Sequence, residues 1–186
     1  MTNSLAGNLL VASTDLDHEI FSRSVCLVVH HDHNGAIGLM LNRPLRPQPA
    51  ELLSMIGGES QRNAEPAGGT VHFGGPLSGP VVALHAMPTL ADSETMAGVY
   101  VAAQKEHLEQ LLHQATPMRL IVGHAGWAAG QLESEILLGS WHVAPASPDI
   151  IFSSDDGMWS QSIRQACGRS VARWVGARPA ASPELN

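Results

Sequence analysis

The chain has 186 residues, a length that fits one domain more easily than two. Its formal net charge is −7, from 10 basic and 17 acidic side chains, and this balance disfavours a surface for the phosphate backbone of nucleic acids. The sequence has no apolar run of about 18 residues and no basic leader, so it predicts neither a membrane span nor a signal peptide. Cys26 and Cys167 show no disulfide pattern. We therefore expect a cytoplasmic protein that does not contact membranes.

The first part of the chain predicts a short strand followed by a β-hairpin. Asn8–Ser13 is typical of a buried strand, and Ser24–His30 and Ala36–Asn42 are dense enough in apolar residues for strands buried on both faces. The pair Asn34-Gly35 lies between them and is the sequence most typical of a type I′ turn, in which both central residues have positive φ. The segment Ser24–Asn42 is therefore predicted to be a hairpin.

The middle of the chain is rich in turn residues and predicts short elements joined by loops. In chain order these are a short helix at Gln48–Ile56, a loop at Gly57–Gly69, strands at Val71–Phe73 and Val81–Ala86, an irregular stretch at Leu90–Gly98 and an extended segment at Val99–Val101.

The last part predicts more helix than strand. The elements expected here are a helix at Lys105–Gln114, a strand at Met118–Gly123, a helix that starts at Gln131 after Gly130, a strand at Trp141–Val143 and a helix at Asp156–Gly176. Hairpins and helices without regular βαβ alternation favour the α+β class. We expect one domain over residues 1–178 and a frayed tail over residues 179–186.

No motif in the sequence specifies a reaction. His31 and His33 are two residues apart and could share a face of an extended chain as metal ligands, although polar residues around an exposed turn explain them more simply. Gly74 and Gly75 could expose backbone amides to an anion, but tight turns between strands are the preferred interpretation. Because neither pattern is completed by further ligands or by a phosphate-loop ending, we expect no metal and no cofactor.

The stretch Gly123–Glu133 is the most informative, because a strand runs into glycines, a tryptophan and a capped helix. Trp127 and the helix N-terminus could form one wall of a ligand site. In the alternative, which the sequence favours, Trp127 fills the corner between strand and helix, and Glu133 caps the helix.

Three motifs, in this order along the chain, resemble the AlgH/YqgE family. They comprise Phe21–Val25 through His31–Gly38 to Asn42-Arg43-Pro44, then Phe73–Pro76, then Gly126-Trp127 with Gly130–Glu133, Glu135 and Trp141. The resemblance implies an α+β domain with a bent, partly barrel-like mixed sheet and helices packed outside it, in a bacterial cytoplasmic protein. It implies little about activity. Some members are labelled transcriptional regulators, but this sequence contains no DNA-reading motif.

We hypothesise that the ends of the three motifs meet around one shallow cleft. Its residues would be His31, Asn42, Arg43, Gly74, Gly75 and Trp127. Pro44 biases Arg43 toward an extended conformation, from which its guanidinium can project, and the two glycines would let backbone amides approach a ligand. A small anionic molecule or a carboxylate of a protein partner is the expected ligand. In the alternative, each motif only stabilises its own local turn, and the six residues lie far apart.

The leading interpretation is a non-enzymatic binding or regulatory protein. The alternative is an enzyme with a dispersed site that acts on an anionic small molecule. Specific DNA binding is the least favoured, because the charge is negative and a reader helix is missing.

Overall fold

The computed structural model describes residues 4–45 and 70–175. The helix predicted at Gln48–Ile56, the loop at Gly57–Gly69 and the tail at residues 179–186 lie outside the described residues. Within them, no helix combines the length and the hydropathy needed to cross a bilayer.

One nine-stranded sheet organises the described chain. Its strands are β1 Asn8–Ala12, β2 Val25–Asp32, β3 Gly35–Met40, β4 Val71–Phe73, β5 Leu77–His85, β6 Ser93–Met96, β7 Val99–Ala102, β8 Met118–Ala128 and β9 Trp141–Pro145. The strand order is β6-β7-β5-β8-β3-β2-β1-β9, and these neighbours are antiparallel. Strand β4 lies off this path and pairs in parallel with β8, so the sheet is mixed.

Within the described residues, four α-helices flank the sheet: α1 Lys105–Leu112, α2 Gln131–Leu137, α3 Pro148–Ile151 and α4 Met158–Val175, and a short 3-10 helix spans Pro88–Leu90. Helices α3 and α4 contribute Ile151, Met158 and Ile163 to one apolar cluster, α2 contributes Leu132 to a second, and α1 contributes to a third. The sheet curls into a half-barrel with the helices around it. The predicted α+β fold with a bent, partly barrel-like sheet is therefore confirmed.

The β2–β3 hairpin sits at the centre of the core, as its apolar composition predicts. Leu27 and Leu39 belong to the cluster on the α3–α4 side, whereas Cys26, Val28 and Met40 belong to the cluster that contains Trp127. This alternation is the period of two expected of a strand buried on both faces. Each buried Leu, Val and Met side chain of this set contributes roughly 1.5–3 kcal/mol by leaving water.

The turn of this hairpin differs from the predicted type I′ turn. The two residues between the paired Asp32 and Gly35 are His33 and Asn34, and neither has positive φ. Instead, Asp32 Oδ1 accepts a hydrogen bond from the Asn34 amide at 2.8 Å. Gly35, with φ of 140°, is the first residue of β3, and a Cβ there would lie 2.1 Å from the Trp127 carbonyl oxygen. The glycine is therefore needed for close packing of β3 on β8.

Strand β8 is longer than predicted and is the central strand that pairs with three others. It pairs with β5 and β4 in its first part and with β3 in its second. The sequence suggested an end at Gly123, but this residue adopts φ of 76° inside the strand. A Cβ there would lie 2.6 Å from the Gly75 carbonyl oxygen, so the glycine permits close approach without ending the strand.

Two other predictions need correction. The stretch Leu90–Gly98, expected to be irregular, contains strand β6, and β5 begins at Leu77, four residues before the predicted start. The sequence did not predict these two segments as strands because they are polar or rich in glycine. Their residues are largely exposed, so they lack the apolar pattern of a buried strand. The helix after Gly130 is confirmed, with Gly130 at the N-cap in the left-handed region.

Candidate functional site

His31 is buried at the end of β2 and both of its ring nitrogens are engaged. Nδ1 accepts a hydrogen bond from the Leu5 amide at 2.9 Å, and Nε2 lies 2.8 Å from Glu133 Oε1. Because Nδ1 accepts, Nε2 carries the proton and donates to the carboxylate. The backbone amide of Glu133 itself and then His31 lower the pKa of Glu133. His31 therefore connects the N-terminal segment to α2.

The metal alternative for His31 and His33 finds no support in this geometry, because a metal ion would have to displace the Leu5 amide or Glu133 from His31. Across residues 4–45 and 70–175, no group of three or more His, Cys, Asp or Glu side chains is arranged to hold a metal ion.

Trp127 packs in the corner between β8 and α2. Its Nε1 donates to Glu135 Oε2 at 2.8 Å, and the same oxygen accepts from Trp141 Nε1 at 2.8 Å. Gln131 donates to the other carboxylate oxygen. The two indole rings meet edge to face, with their centroids 6.0 Å apart. This contact set supports the structural alternative for Trp127, since its only polar atom is already paired.

Gly74 and Gly75 let the chain cross β8 at very short range. The Gly74 amide donates to the Val122 carbonyl at 2.7 Å, and its carbonyl accepts from the Met40 amide at 2.9 Å. A Cβ on Gly74 would lie 2.2 Å from the Gly123 carbonyl oxygen, and one on Gly75 would lie 2.2 Å from the carbonyl carbon of His124. The Gly74 amide is thus occupied by β8 and is not offered to an anion.

Asn42 and Arg43 hold the turn that precedes β2. Asn42 Oδ1 accepts from the Val25 amide at 3.0 Å, and its Nδ2 donates to the Arg23 carbonyl at 2.9 Å. The Arg43 guanidinium donates to the carbonyls of Ser22, Arg23 and Asn42. Burial lowers the pKa of Arg43. Both side chains therefore act on the backbone of Ser22 and Arg23, which sequence reasoning had not singled out.

The six predicted residues lie at three places along the sheet, and the described contacts do not bring them around one cleft. His31 on β2 and Trp127 on β8 are the residues paired with Ala36 on either side of β3, next to the hairpin turn. Asn42 and Arg43 follow the other end of β3, about 20 Å away at a rise of roughly 3.3 Å per residue. Gly74 and Gly75 lie between these groups, against Met40 and the middle of β8.

A pocket of about 480 Å³ opens on one face of the sheet and was not predicted. We call it the sheet pocket. Its floor is apolar and consists of Val29, Ile37, Leu39, Val82 and Val101. Its polar rim consists of His30, Ser93, Glu94, Thr95 and His124. An apolar floor with a few polar groups around it is the usual composition of a site for a small molecule.

The sequence did not reveal the sheet pocket because its floor resembles core. Val29, Ile37 and Leu39 lie in segments predicted to be buried on both faces. In the structure Ile37 is 39% exposed, and among the described residues none from a helix lines the pocket. On the rim, His30 is paired with Asp32 at 3.4 Å. The pKa of Asp32 is lowered, chiefly by the hydrogen bond from the Asn34 amide.

A further polar cluster, centred on Arg119, holds the segment between α3 and α4 against the sheet. Arg119, 5% exposed, donates to Asp155 Oδ1 at 2.5 Å and to the carbonyls of Leu41, Ile151 and Ser153. His72 Nε2 lies 2.8 Å from Arg119 Nη1 and 3.0 Å from Asp155 Oδ1, and burial lowers the pKa of His72. These contacts fix the segment between α3 and α4 to the sheet.

The curled half-barrel with outer helices defines a fold that other proteins share. The solution structure of the AlgH protein from Pseudomonas aeruginosa superposes with a TM-score of 0.71 at 23% identity, covering 97% of this chain and 98% of that one. The crystal structure of a protein from Corynebacterium diphtheriae gives a TM-score of 0.71 at 25% identity, covering 89% and 88%.

Sequence similarity carries the assignment further. The family model described as AlgH-like matches residues 9–170. A UPF0301 protein of Chlorobium phaeobacteroides is 34% identical over 171 residues, which cover 88% of this chain and 87% of the relative. A UPF0301 protein of Chlorobium luteolum is 36% identical over 171 residues, with 88% and 86% covered. The chain belongs to the AlgH-like family, and the family predicted from the three motifs is confirmed.

Proposed function

We propose that this chain is a non-enzymatic binding protein that takes a small molecule into the sheet pocket. The observation that carries the proposal is the apolar floor, which is open to solvent at Ile37 and framed by polar side chains. A volume of about 480 Å³ falls within the range of small-molecule sites. Burial of the floor by a ligand would remove apolar surface from water.

The rim indicates the chemistry of this ligand. Glu94 offers a carboxylate, and the charge on His30, when it is protonated, is met by Asp32. An anion would gain little here, whereas a largely apolar molecule with a hydrogen-bond donor or a cationic group at one end would fit both surfaces.

Binding is favoured over catalysis by what surrounds the pocket histidines. Within the described chain, His30 and His124 form no hydrogen bond to a hydroxyl or thiol group that they could activate. The thiol of Cys26 is buried on the opposite side of β2, and burial raises its pKa. An enzyme with a dispersed site remains the alternative function.

We further propose that the protein works in the cytoplasm and that any regulatory role passes through the bound ligand and not through direct DNA contact. The free cysteines Cys26 and Cys167 are compatible with a reducing compartment. The net charge of −7 opposes DNA binding. A sequence-dependent gel shift at nanomolar protein in physiological salt would overturn this part of the proposal.

The test uses the neutral apolar dye Nile red and two matched variants. Ile37→Trp fills the pocket, whereas Val143→Trp places the same side chain on β9, outside the pocket, at a residue that is also 39% exposed. We expect dye fluorescence to rise with the wild type and with Val143→Trp, and to fall at least several-fold with Ile37→Trp. Equal fluorescence for the two variants, or none with the wild type, would refute the pocket as the site.

A further inference from the structure

A second cavity lies away from the sheet pocket and shares no lining residue with it. It measures about 520 Å³ and is formed by the segment after β1, the turn before β2 and the start of α4. Its polar lining comprises Ser13, Thr14, Asp17 and Ser22, and its apolar walls are Leu16 and Trp159. Arg23 lines it as well, and we call it the Arg23 cleft.

The backbone of Arg23 adopts a conformation that favours glycine. Its φ is 56°, and within the described residues it is the one non-glycine residue with positive φ. A residue with a Cβ persists there only when its surroundings over-determine it. Asn42 and Arg43 supply that constraint through their hydrogen bonds to the carbonyls of Arg23 and Ser22. Glycine would fit this backbone more easily, so the arginine side chain is not explained by the turn itself.

The side chain of Arg23 is oriented by a tryptophan ring but has no polar partner among the residues that the structure describes. Its guanidinium lies over the ring of Trp159, 5.7 Å from the centroid, and Trp159 is fixed by a hydrogen bond from Nε1 to the Ala12 carbonyl at 2.8 Å. Within the described part of the chain, the Arg23 guanidinium forms no hydrogen bond and no ion pair. Its N–H donors are therefore free to meet a ligand in the cleft.

The other groups around the cleft select among anions. Asp17 lines it too, so the lining carries one cation and one carboxylate, and the second charge of a phosphate would gain little because Asp17 offsets the attraction of Arg23. The planar guanidinium fork matches a carboxylate with two parallel hydrogen bonds. Leu16 and Trp159 add an apolar wall on which the body of the ligand can rest.

We propose that the Arg23 cleft binds a carboxylate group carried on an apolar or aromatic body. Arg23 contacts the carboxylate, and Asn42 and Arg43 are positioning residues that hold its backbone in the strained conformation. The carboxylate can belong to a small molecule or to the C-terminus of a peptide, and the chemistry of recognition is the same. The sequence predicted that Arg43 would bind an anionic ligand. We propose instead that Arg23, whose backbone Asn42 and Arg43 hold, binds the anion.

The first test is titration of the protein with benzoate, followed by NMR at the Trp159 indole N–H. Benzamide serves as the neutral isostere and inorganic phosphate as the competing anion. We expect a saturable shift with benzoate at millimolar concentration and at least tenfold weaker effects with benzamide and phosphate. No shift with benzoate, or an equal response to benzamide or phosphate, would overturn the proposal.

The matched variant is Arg23→Gly, which removes the guanidinium and relieves the backbone at a positive φ. It should melt no lower than the wild type and bind benzoate at least tenfold more weakly. Unchanged binding by a folded Arg23→Gly protein would refute the role of Arg23. Because the sheet pocket shares no residue with the cleft, Nile red fluorescence should stay unchanged in this variant.

A final comparison assigns the source of the carboxylate. A short peptide that ends in phenylalanine is tested with a free and with an amidated C-terminus. Binding of the free form alone supports the proposal and points to a protein partner, whereas binding of benzoate without either peptide supports it and points to a small molecule. Equal binding of both peptide forms would contradict carboxylate recognition.

Discussion

The two ends of the β2–β3 hairpin use their polar side chains in different ways. At the turn end, His31 is paired with Glu133, and Trp127 and Trp141 share the carboxylate of Glu135. Every one of these polar groups meets another group of the same chain. A partly buried network whose groups pair with one another in this way fixes packing and offers little to a ligand.

At the open end, the polar side chains of Asn42 and Arg43 are also satisfied, but their bonds hold the turn at Ser22 and Arg23. That turn presents one arginine with free donors over the indole of Trp159. The comparison shows that a residue in a family motif can serve a site indirectly, by holding the backbone of the residue that meets the ligand.

The largest expected effect is at the turn end, where Gly35→Val should destabilise the protein by about 3 kcal/mol or more. A valine Cβ would lie 2.1 Å from the Trp127 carbonyl oxygen and would also be strained at φ of 140°. For a chain of this size, the melting temperature should fall by roughly 10 °C.

The control is Gly139→Val. Gly139 has φ of 81° but no heavy atom within 4 Å of a Cβ, so this variant carries the backbone strain without the collision. It should lose only about 1–2 kcal/mol. Equal losses in chemical denaturation of the two variants would show that the contact between β3 and β8 is looser than the structure indicates.

A smaller loss of stability with a specific loss of binding is expected for Arg43→Ala. Removal of the guanidinium leaves the Ser22 carbonyl without this donor and should lower the free energy of unfolding by about 1–2 kcal/mol. Because the Arg23 turn loses its constraint, benzoate affinity should fall several-fold. Calorimetric titration with benzoate, beside urea denaturation, measures both effects.

Glu135→Ala tests the same distinction from the turn end. It should destabilise by about 2–3 kcal/mol, because two indole N–H groups lose their acceptor, while benzoate affinity stays unchanged. If both variants lost benzoate binding in proportion to stability, Arg43 would be a general structural residue and not a positioning residue for the cleft.

Most of the fold could be predicted from the sequence, because apolar segments such as Val25–Val29 and Met158–Ile163 indicate burial directly. The type I′ turn predicted at Asn34-Gly35 was wrong, because the glycine was interpreted as a turn residue. In the structure Gly35 is needed because a Cβ would collide with the backbone of Trp127. Close approach between strands distant in sequence leaves no local pattern other than the glycine itself.

The candidate sites were harder to predict. Asn42 and Arg43 were predicted to line a ligand site, but in the structure their side chains bond the backbone of Arg23 and Ser22, about 20 residues earlier in the chain. Arg23 appeared only as one letter of a motif, since positive φ at a residue with a Cβ cannot be inferred from composition. The sheet pocket was hidden because Val29 and Ile37 have the pattern of core residues.

The smallest expected effect concerns pH at the turn end of the hairpin. The pKa of Glu133 is lowered in the folded state, first by its own backbone amide and then by His31. A carboxyl group with a depressed folded pKa stabilises the fold fully above its unfolded pKa of about 4.3, and this contribution is lost as pH falls through the folded pKa.

Glu133→Gln keeps an acceptor for His31 but cannot titrate, so its stability should depend less on pH below about 5. The Glu133 side chain is 35% exposed, and solvent screening should keep the difference between the two proteins well under about 1 kcal/mol. Urea denaturation from pH 7 to pH 3 measures it, and parallel pH profiles for the wild type and Glu133→Gln would mean that the His31–Glu133 contact does not stabilise this end of the hairpin.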